Sequence, residues 1–496
     1  LCLFFITNFQ AQDVYYALIS SLITGGFVFY YCDRIRIFNL GRKSTIAICF
    51  ALGAFLAVFV GAITIYKYLS HWTPNYDFGI FSQMYHYMKE TLIPYTTVER
   101  DKLLSHFSVH FSPILYIILP FYLIFPNPAT LLATQAVAVA LGLIPLYKLS
   151  KHYNLSNLKI AALSFIYAFY PALIKGNFFY FHENCFLTVL LLWLFYFAEK
   201  KKHIIMGVFA LLVMMVKEDA PVYIVFFAMY LILSNKGKIK GAILGVGAVV
   251  YFAVVTYFMK IYGHGIMTYR YDNFIFEDNG SIYSVIINVI KNPAYLFNSL
   301  IDEKKLIFLI LMAVPLALLP FASKKPSTVI LIFPMVLVNL MSDYGYQHNI
   351  GFQYLYATSA FLFYAAVINL STLSGKAAKK LLLSGMTASV IFFASESADE
   401  LGAITNYYAS LPKIQTINEA LALVPKDKSV TASTFLVTPL WDRNELYQYE
   451  YTNKKTEYIV LDLRYETKEY NVGKYRNDQY EEIYFSEGII AIYRQK

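Results

Sequence analysis

The stretch HWTPNYDFGIFSQMYHYMKE (71–90) places Asp77 immediately before an apolar and aromatic run. An amphipathic helix over 78–90, lying on a membrane surface, would set that carboxylate to take a proton from an acceptor hydroxyl at the lipid–water boundary. The same residue equally suits the N-cap of that helix, a purely structural task. In ERDKLLSHFSVHFSP (99–113), His106 and His110 are four residues apart and share one face of a helix. That spacing suits a metal pair, yet the glutamate of an HExxH pattern and an evident third ligand are missing. Binding of a phosphate or hydroxyl, and ordinary packing at a helix start, stand beside it.

Three further groups have the same character. His182 and Glu183, in FHEN (181–184), separate two apolar runs and would orient a substrate or simply sit in a wet loop. Lys217, Glu218 and Asp219 interrupt an apolar stretch, and intramembrane charges are functional by default. They imply a polar cavity below the membrane surface, with Lys217 as a point charge for a phosphate; a self-neutralising salt bridge is the alternative. The loop SDYGYQHNIGFQY (342–354) adds Asp343, His348 and Tyr354 as an aromatic and polar rim, a common feature of membrane interfaces. No P-loop, GxSxG, HExxH, Rossmann glycine pattern or EF-hand is present, so ATP-driven transport and soluble-type hydrolysis have no support.

The elements that must hold these groups are set by composition. Of 496 residues 58% are apolar and 15% charged, against about 25% charged in soluble proteins, and the mean hydropathy is +0.50. A soluble enzyme and a disordered chain are excluded; this is an all-α polytopic membrane protein. The net charge of +9 is spread over short basic clusters between apolar runs, which speaks for topology and against nucleic acid. The four cysteines have no CxxC spacing and imply neither a disulfide framework nor a thiolate metal site.

Spans are expected at 14–31, 46–69, 129–149, 160–180, 183–198, 241–260, 306–322, 328–342, 352–370 and 380–396, with 204–234 as two short helices meeting at the Lys217–Asp219 triplet. Basic clusters at Arg34/Arg36/Arg42/Lys43, Lys148/Lys151/Lys159, Lys200–Lys202, Lys236/Lys238/Lys240, Lys324/Lys325 and Lys376/Lys379/Lys380 belong on the cytoplasmic side. All six can lie there if 111–126, which holds Pro113, Pro120 and Pro126, is an interfacial or half-inserted helix. About eleven crossings follow, with the C-terminus outside. Segments 70–112, 177–184, 217–220, 261–303 and 343–351 then face outward, together with seven of the nine histidines. Residues 1–397 form the multi-pass domain with its long first external loop 70–112, and 398–496 an extracytoplasmic soluble α/β tail. The sequence begins with Leu1, and residues 1–10 are not read as a signal peptide.

YDFGIFSQ (76–83), HFSPILYIILPFYLIFPNPATLLATQ (110–135), FHEN and KEDAPVYI (217–224) occur in that order. Together they resemble a prokaryotic family of predicted membrane proteins, domain of unknown function (DUF) family twenty seventy-nine, over roughly residues 50 to 465. SVTASTFLVTPLWDR (429–443) and YIVLDL (458–463) are similar to its soluble end. That family is grouped with the GT-C integral-membrane glycosyltransferases. The resemblance implies a GT-C-like fold, an acidic catalytic residue in the first external loop, at Asp77, and a sugar donor carried on a polyprenyl phosphate. Where the family often has a His-Tyr pair and a later proline near 348–362, this chain has Gln353-Tyr354 and Ala360.

The resulting expectation is a glycosyltransferase on the outer face of the plasma membrane. Asp77 would be the general base, and His106, His110 and Lys217 would hold the lipid phosphate. His182, Glu183, Glu218, Asp219, His348 and Tyr354 would contact substrate. The partners would be membrane lipid, a polyprenyl-phosphate-linked sugar, and a glycan, lipid or protein acceptor, without nucleic acid. No cofactor follows from the sequence; a divalent metal is compatible with it but implied by no ligand motif. The competing classes are a transporter or flippase of lipid-linked glycans and a non-catalytic membrane scaffold.

Overall fold

A computed structural model describes residues 1–35, 39–265, 267–276, 282–323, 325–465 and 472–496; Arg36 and Lys324 of the basic clusters lie outside them. Among these residues seven helices are long and apolar enough to cross a membrane: Val14–Arg34, Arg42–Leu69, Pro128–His152, Asn157–Asn177, Lys238–Tyr262, Gln353–Thr372 and Gly375–Ala409. Side-chain oxygens close several of the starts. Asp13 accepts from the Tyr16 N–H at 2.6 Å, and Asn127 accepts from the Ala129 N–H at 2.9 Å, just before Pro128 opens its helix. The helix Tyr356–Thr372 is the axis of the bundle, with every side chain from Tyr356 to Leu370 buried. At 35 residues, Gly375–Ala409 is about 52 Å long. It outruns a hydrocarbon core of about 30 Å and passes position 397 without a break.

The other expected crossings are made of shorter pieces. Phe186–Glu199, His203–Met214 and Pro221–Leu233 are apolar helices of 12–14 residues, and the Lys217–Asp219 triplet occupies the turn between the last two. Residues 111–126 fold into a short turn, Pro113–Ile117, and a six-residue helix, Leu119–Ile124. That helix is only about 9 Å long, with Phe121, Leu123, Ile124 and Phe125 exposed. The expected spans 306–322 and 328–342 become one helix, Glu303–Ala313, followed by short 3-10 and π turns. Pro315, Pro320, Pro326 and Pro334 remove backbone donors at close intervals, which a continuous helix does not tolerate. Irregular backbone at membrane depth requires internal hydrogen-bond partners, and two buried asparagines supply them. Asn369 Nδ2 donates to the carbonyls of Leu319 and Pro320 at 2.8 and 3.0 Å. Asn339 Nδ2 donates to those of Gln347 and Tyr354 at 2.6 and 3.1 Å, while its Oδ1 accepts from the Thr358 hydroxyl at 2.6 Å.

Beyond the bundle, a two-stranded hairpin joins β1 (Tyr95–Thr96) to β2 (Leu104–Ser105) in the first loop. The C-terminal region forms a five-stranded sheet from β3 (Val430–Ala432), β4 (Leu446–Gln448), β5 (Tyr458–Asp462), β6 (Tyr480–Ser486) and β7 (Ile490–Gln495), in the order β4-β3-β5-β7-β6. β3 runs parallel to β4 and β5; β7 runs antiparallel to both its neighbours. Helix Leu411–Ala422 covers one face through Ile417, Ala420 and Leu421, which share a core with Val430, Val460, Ile490 and Ile492.

This sheet and the first loop are one structure. Val98 is buried in the sheet's core and Ile80 packs against it. The helix Tyr76–Thr91 forms where the apolar pattern predicts, but it does not lie on a membrane surface. Phe78, Phe81, Met84, Tyr85 and Met88, spaced along one face, join the core of the bundle, and the opposite face meets the sheet. Gly79 marks the tightest approach: a Cβ there would stand 3.2 Å from Val437 Cγ1 and overlap the Asn75 side chain.

Candidate functional site

Asp77 is the second residue of the helix Tyr76–Thr91. The N-cap is Asn75, which makes no side-chain capping bond; its amide instead donates to Gln448 Oε1 in β4 at 2.6 Å. Asp77 therefore does not cap the helix. Among the described residues its half-buried carboxylate has no hydrogen bond or ion pair. Burial raises its pKa above the usual carboxylate value; Lys217 and His110 pull the other way, and Glu183 and Glu99 reinforce the rise. The result is a stronger base than an exposed aspartate, without a partner among the described residues.

Three ion pairs stand around it. His106 Nδ1 lies 2.9 Å from Glu99 Oε2, with both groups buried. Burial pulls the His106 imidazole down, but the adjoining Glu99 carboxylate outweighs it, and the net shift is upward. Burial likewise pushes Glu99 up, and the charge and hydrogen bond of His106 bring it below the ordinary value. Each member thus favours the charged form of the other. His110 Nδ1 lies 2.8 Å from Glu218 Oε1, and Glu218 Oε2 accepts the Phe111 N–H at 3.0 Å. These contacts overcome burial and hold Glu218 at about 2. Lys217 Nζ lies 3.2 Å from Glu183 Oε1, and that carboxylate, with Glu218, keeps the ammonium charged despite its burial.

His182 is different. Burial, then the positive charges of Lys217, His110 and His106, drive its pKa far down. Its Nδ1 accepts the Asn184 N–H at 3.4 Å and lies 3.1 Å from Glu183 Oε2. Gln135 fixes its backbone, accepting the His182 N–H at 2.8 Å. Phe81, on the same helix as Asp77, meets the rings of His106 and His182 edge-on at 5.2 and 5.6 Å, so one aromatic side chain spaces the two imidazoles.

A small cavity of about 150 Å³ opens beside this group, lined by Glu218, Asp219, Tyr223, Arg270, Tyr271 and Gln347. Asp219 has a raised pKa, from burial and then the neighbouring Glu218. The Arg270 guanidinium lies over the rings of Tyr344 and Tyr354 at 5.1 and 5.0 Å and donates from Nη2 to Tyr354 Oη at 3.3 Å. Its Nε is buried without a partner. Among the described residues no carboxylate lies within ion-pair distance of it.

The fold thus brings Asp77, His106, His110, His182, Glu183, Lys217, Glu218, Asp219 and Tyr354 to one end of the bundle. His348 is turned elsewhere: the charges that bear on it are those of Lys305, Asp302 and Lys304, and its neighbour Gln347 lines the cavity instead. Sequence reasoning missed Glu99 and Arg270. The signal for Arg270 was available, since it is the single arginine between Arg100 and Arg443. Glu99 stands in the quoted first-loop segment, but nothing local ties it to His106. Among the described residues no three His, Cys, Asp or Glu side chains are grouped so as to hold a metal ion.

No curated protein gives a significant match to this chain. Residues 68–487, which take in the first loop, the bundle from Pro128 onward and most of the C-terminal sheet, match the family described as "Predicted membrane protein (DUF2079)". The chain is a member of that family.

Proposed function

We propose that this protein is a GT-C-type glycosyltransferase of the plasma membrane, with about eleven crossings in residues 1–397 and residues 398–496 outside the cell. It transfers a sugar from a polyprenyl-phosphate donor to a glycan, lipid or protein acceptor. The observation that carries the reading is the Asp77 carboxylate, without a partner among the described residues, its basicity raised by burial, within the field of Lys217 and His110. Asp77 takes the proton of the acceptor hydroxyl as that oxygen attacks the anomeric carbon, with inversion, and the lipid phosphate leaves. The departing phosphate gains negative charge, which fixed cations stabilise. His106, His110 and Lys217 are each matched to a carboxylate, so Arg270, free of one, is the principal phosphate ligand and Lys217 assists. His182, Glu183, Asp219 and Tyr354 contact the sugar, and Glu218 fixes His110. His348 holds the rim through the loop it shares with Gln347. The test is sugar transfer from lipid-linked donors by purified wild type and Asp77→Asn. Loss of a general base lowers turnover by about 10²–10⁴-fold; equal transfer by both proteins refutes the assignment.

A further inference from the structure

A second polar cavity lies at the opposite end of the molecule. The helix Arg42–Leu69 runs from it to the Asp77 end over 28 residues, about 42 Å, so the two sites belong to opposite membrane faces. This cavity, of about 410 Å³, is lined by Arg42, Lys148, Lys151, His152 and Lys200 with Tyr147 and Tyr196. Its wall carries four permanent cations, and a carboxylate beside it, Glu199, lies 3.6 Å from His152 Nε2 and is already paired with Lys236. Some lysines elsewhere are neutralised, Lys67 by Glu400, Lys175 by Asp399, Lys236 by Glu199 and Lys376 by Asp33; what sets this cavity apart is that four cations converge on one cup. Among the described residues none of Arg42, Lys148, Lys151 and Lys200 has a carboxylate within ion-pair distance. Lys148 rests over the Trp193 and Tyr196 rings at 5.8 and 5.7 Å, and Lys151 donates to Asn157 Oδ1 at 2.7 Å. Their stems are thereby placed while the positive charge stays uncompensated.

Tyr147 also lines an apolar groove of about 530 Å³ with Ile46, Phe50, Gly53, Leu141 and Ile144. That groove lies between the helices Arg42–Leu69 and Pro128–His152. A cationic cup that continues into an apolar channel matches one chemical object, a phosphate group carrying a hydrocarbon chain. Basic pockets between transmembrane helices on the positively charged side of a membrane protein bind anionic lipid headgroups.

We infer that Arg42, Lys148, Lys151 and Lys200 form a binding site for the phosphate headgroup of an anionic phospholipid, with one acyl chain in the groove beside Gly53. The site is independent of the transferase reading and stands whether or not Asp77 is catalytic. It is tested by native mass spectrometry of the purified chain in micelles holding equal phosphatidylglycerol and phosphatidylcholine. Wild type is expected to retain phosphatidylglycerol selectively. Arg42→Gln/Lys200→Gln is expected to lose about thirtyfold of that preference, from roughly fivefold per cation near a charged surface, whereas Arg42→Lys/Lys200→Arg keeps it. Gly53→Leu, which fills the groove, is expected to lower retention with all four cations intact. Equal retention of both lipids by wild type, or an unchanged preference in the Gln variant, overturns the site. Displacement of phosphatidylglycerol by inorganic phosphate, with Gly53→Leu without effect, overturns the lipid as its occupant.

Discussion

Gln83 is the side chain whose replacement tests most directly whether the first loop and the C-terminal sheet are one unit. It is fully buried. Its Oε1 accepts the Thr97 N–H and the Thr96 hydroxyl, both at 2.8 Å, while its Nε2 donates to the Arg443 carbonyl and to Thr97 Oγ1, both at 2.9 Å. Gln83→Leu keeps the volume and removes every partner. Two buried backbone groups, the Thr97 N–H and the Arg443 carbonyl, are then orphaned. At about 1–3 kcal/mol for each unsatisfied group, the interface loses roughly 4 kcal/mol, a factor of about 10³ in its opening equilibrium. Cleavage of a transiently opened region follows that equilibrium when closing outpaces the protease. Limited proteolysis of the purified protein is therefore expected to cut the 430–465 region about 10³-fold faster in the variant, while the transmembrane fragment stays resistant. Cleavage at the wild-type rate, with an unchanged melting temperature, would show that the loop and sheet do not depend on each other.

Other consequences are equally open to measurement. Asn369→Leu strips the Leu319 and Pro320 carbonyls of their donor and is expected to cost about 2–4 kcal/mol, read as a lowered melting temperature in detergent. Arg270→Lys keeps the charge but loses the planar face stacked on Tyr344 and Tyr354; donor KM is expected to rise about tenfold or more, and an unchanged KM argues against a phosphate role. The Glu99–His106 pair sets a pH window. The stabilisation from Glu99, whose folded pKa is depressed, is full above 4.5 and lost as pH falls through the lower folded value; that from His106, whose folded pKa is raised, is full below 6.5 and lost as pH rises through the higher folded value. The melting-temperature gap between wild type and His106→Gln should thus be widest between those limits, and a gap flat from pH 4 to 9 contradicts the pairing.

How much of this was legible in the sequence depends on the range of the interaction. Lys217, Glu218 and Asp219 announce a helix junction because three charges in lipid cost too much to lie mid-span. The three prolines of 111–126 likewise mark a segment unable to cross. In 303–340 the same chemistry is present, but hydropathy averages over a window and is blind to a missing backbone N–H, so Pro315, Pro320 and Pro334 pass as parts of two spans, with Pro326 between them. Asp77 stands out by its motif, whereas its neighbours Glu99 and Arg270 depend on contacts made across the fold. The union of 75–98 with 434–464 has no local signature at all. Asn75, Gln83 and Thr97 read as ordinary polar loop residues, and their partners lie some 350 positions away in the chain.

That separation has a temporal side. Gln83 is made 361 residues before Asn444, whose carbonyl it reaches; at bacterial or eukaryotic synthesis rates of about 5–20 residues per second, roughly 20–70 s pass between them. Throughout that interval the helix bearing Asp77 has its amide-bearing face still bare. Its last neighbours arrive only once the C-terminal strands have emerged. A ribosome that stops short therefore leaves a bundle whose spans are all inserted and whose first loop is still unfinished.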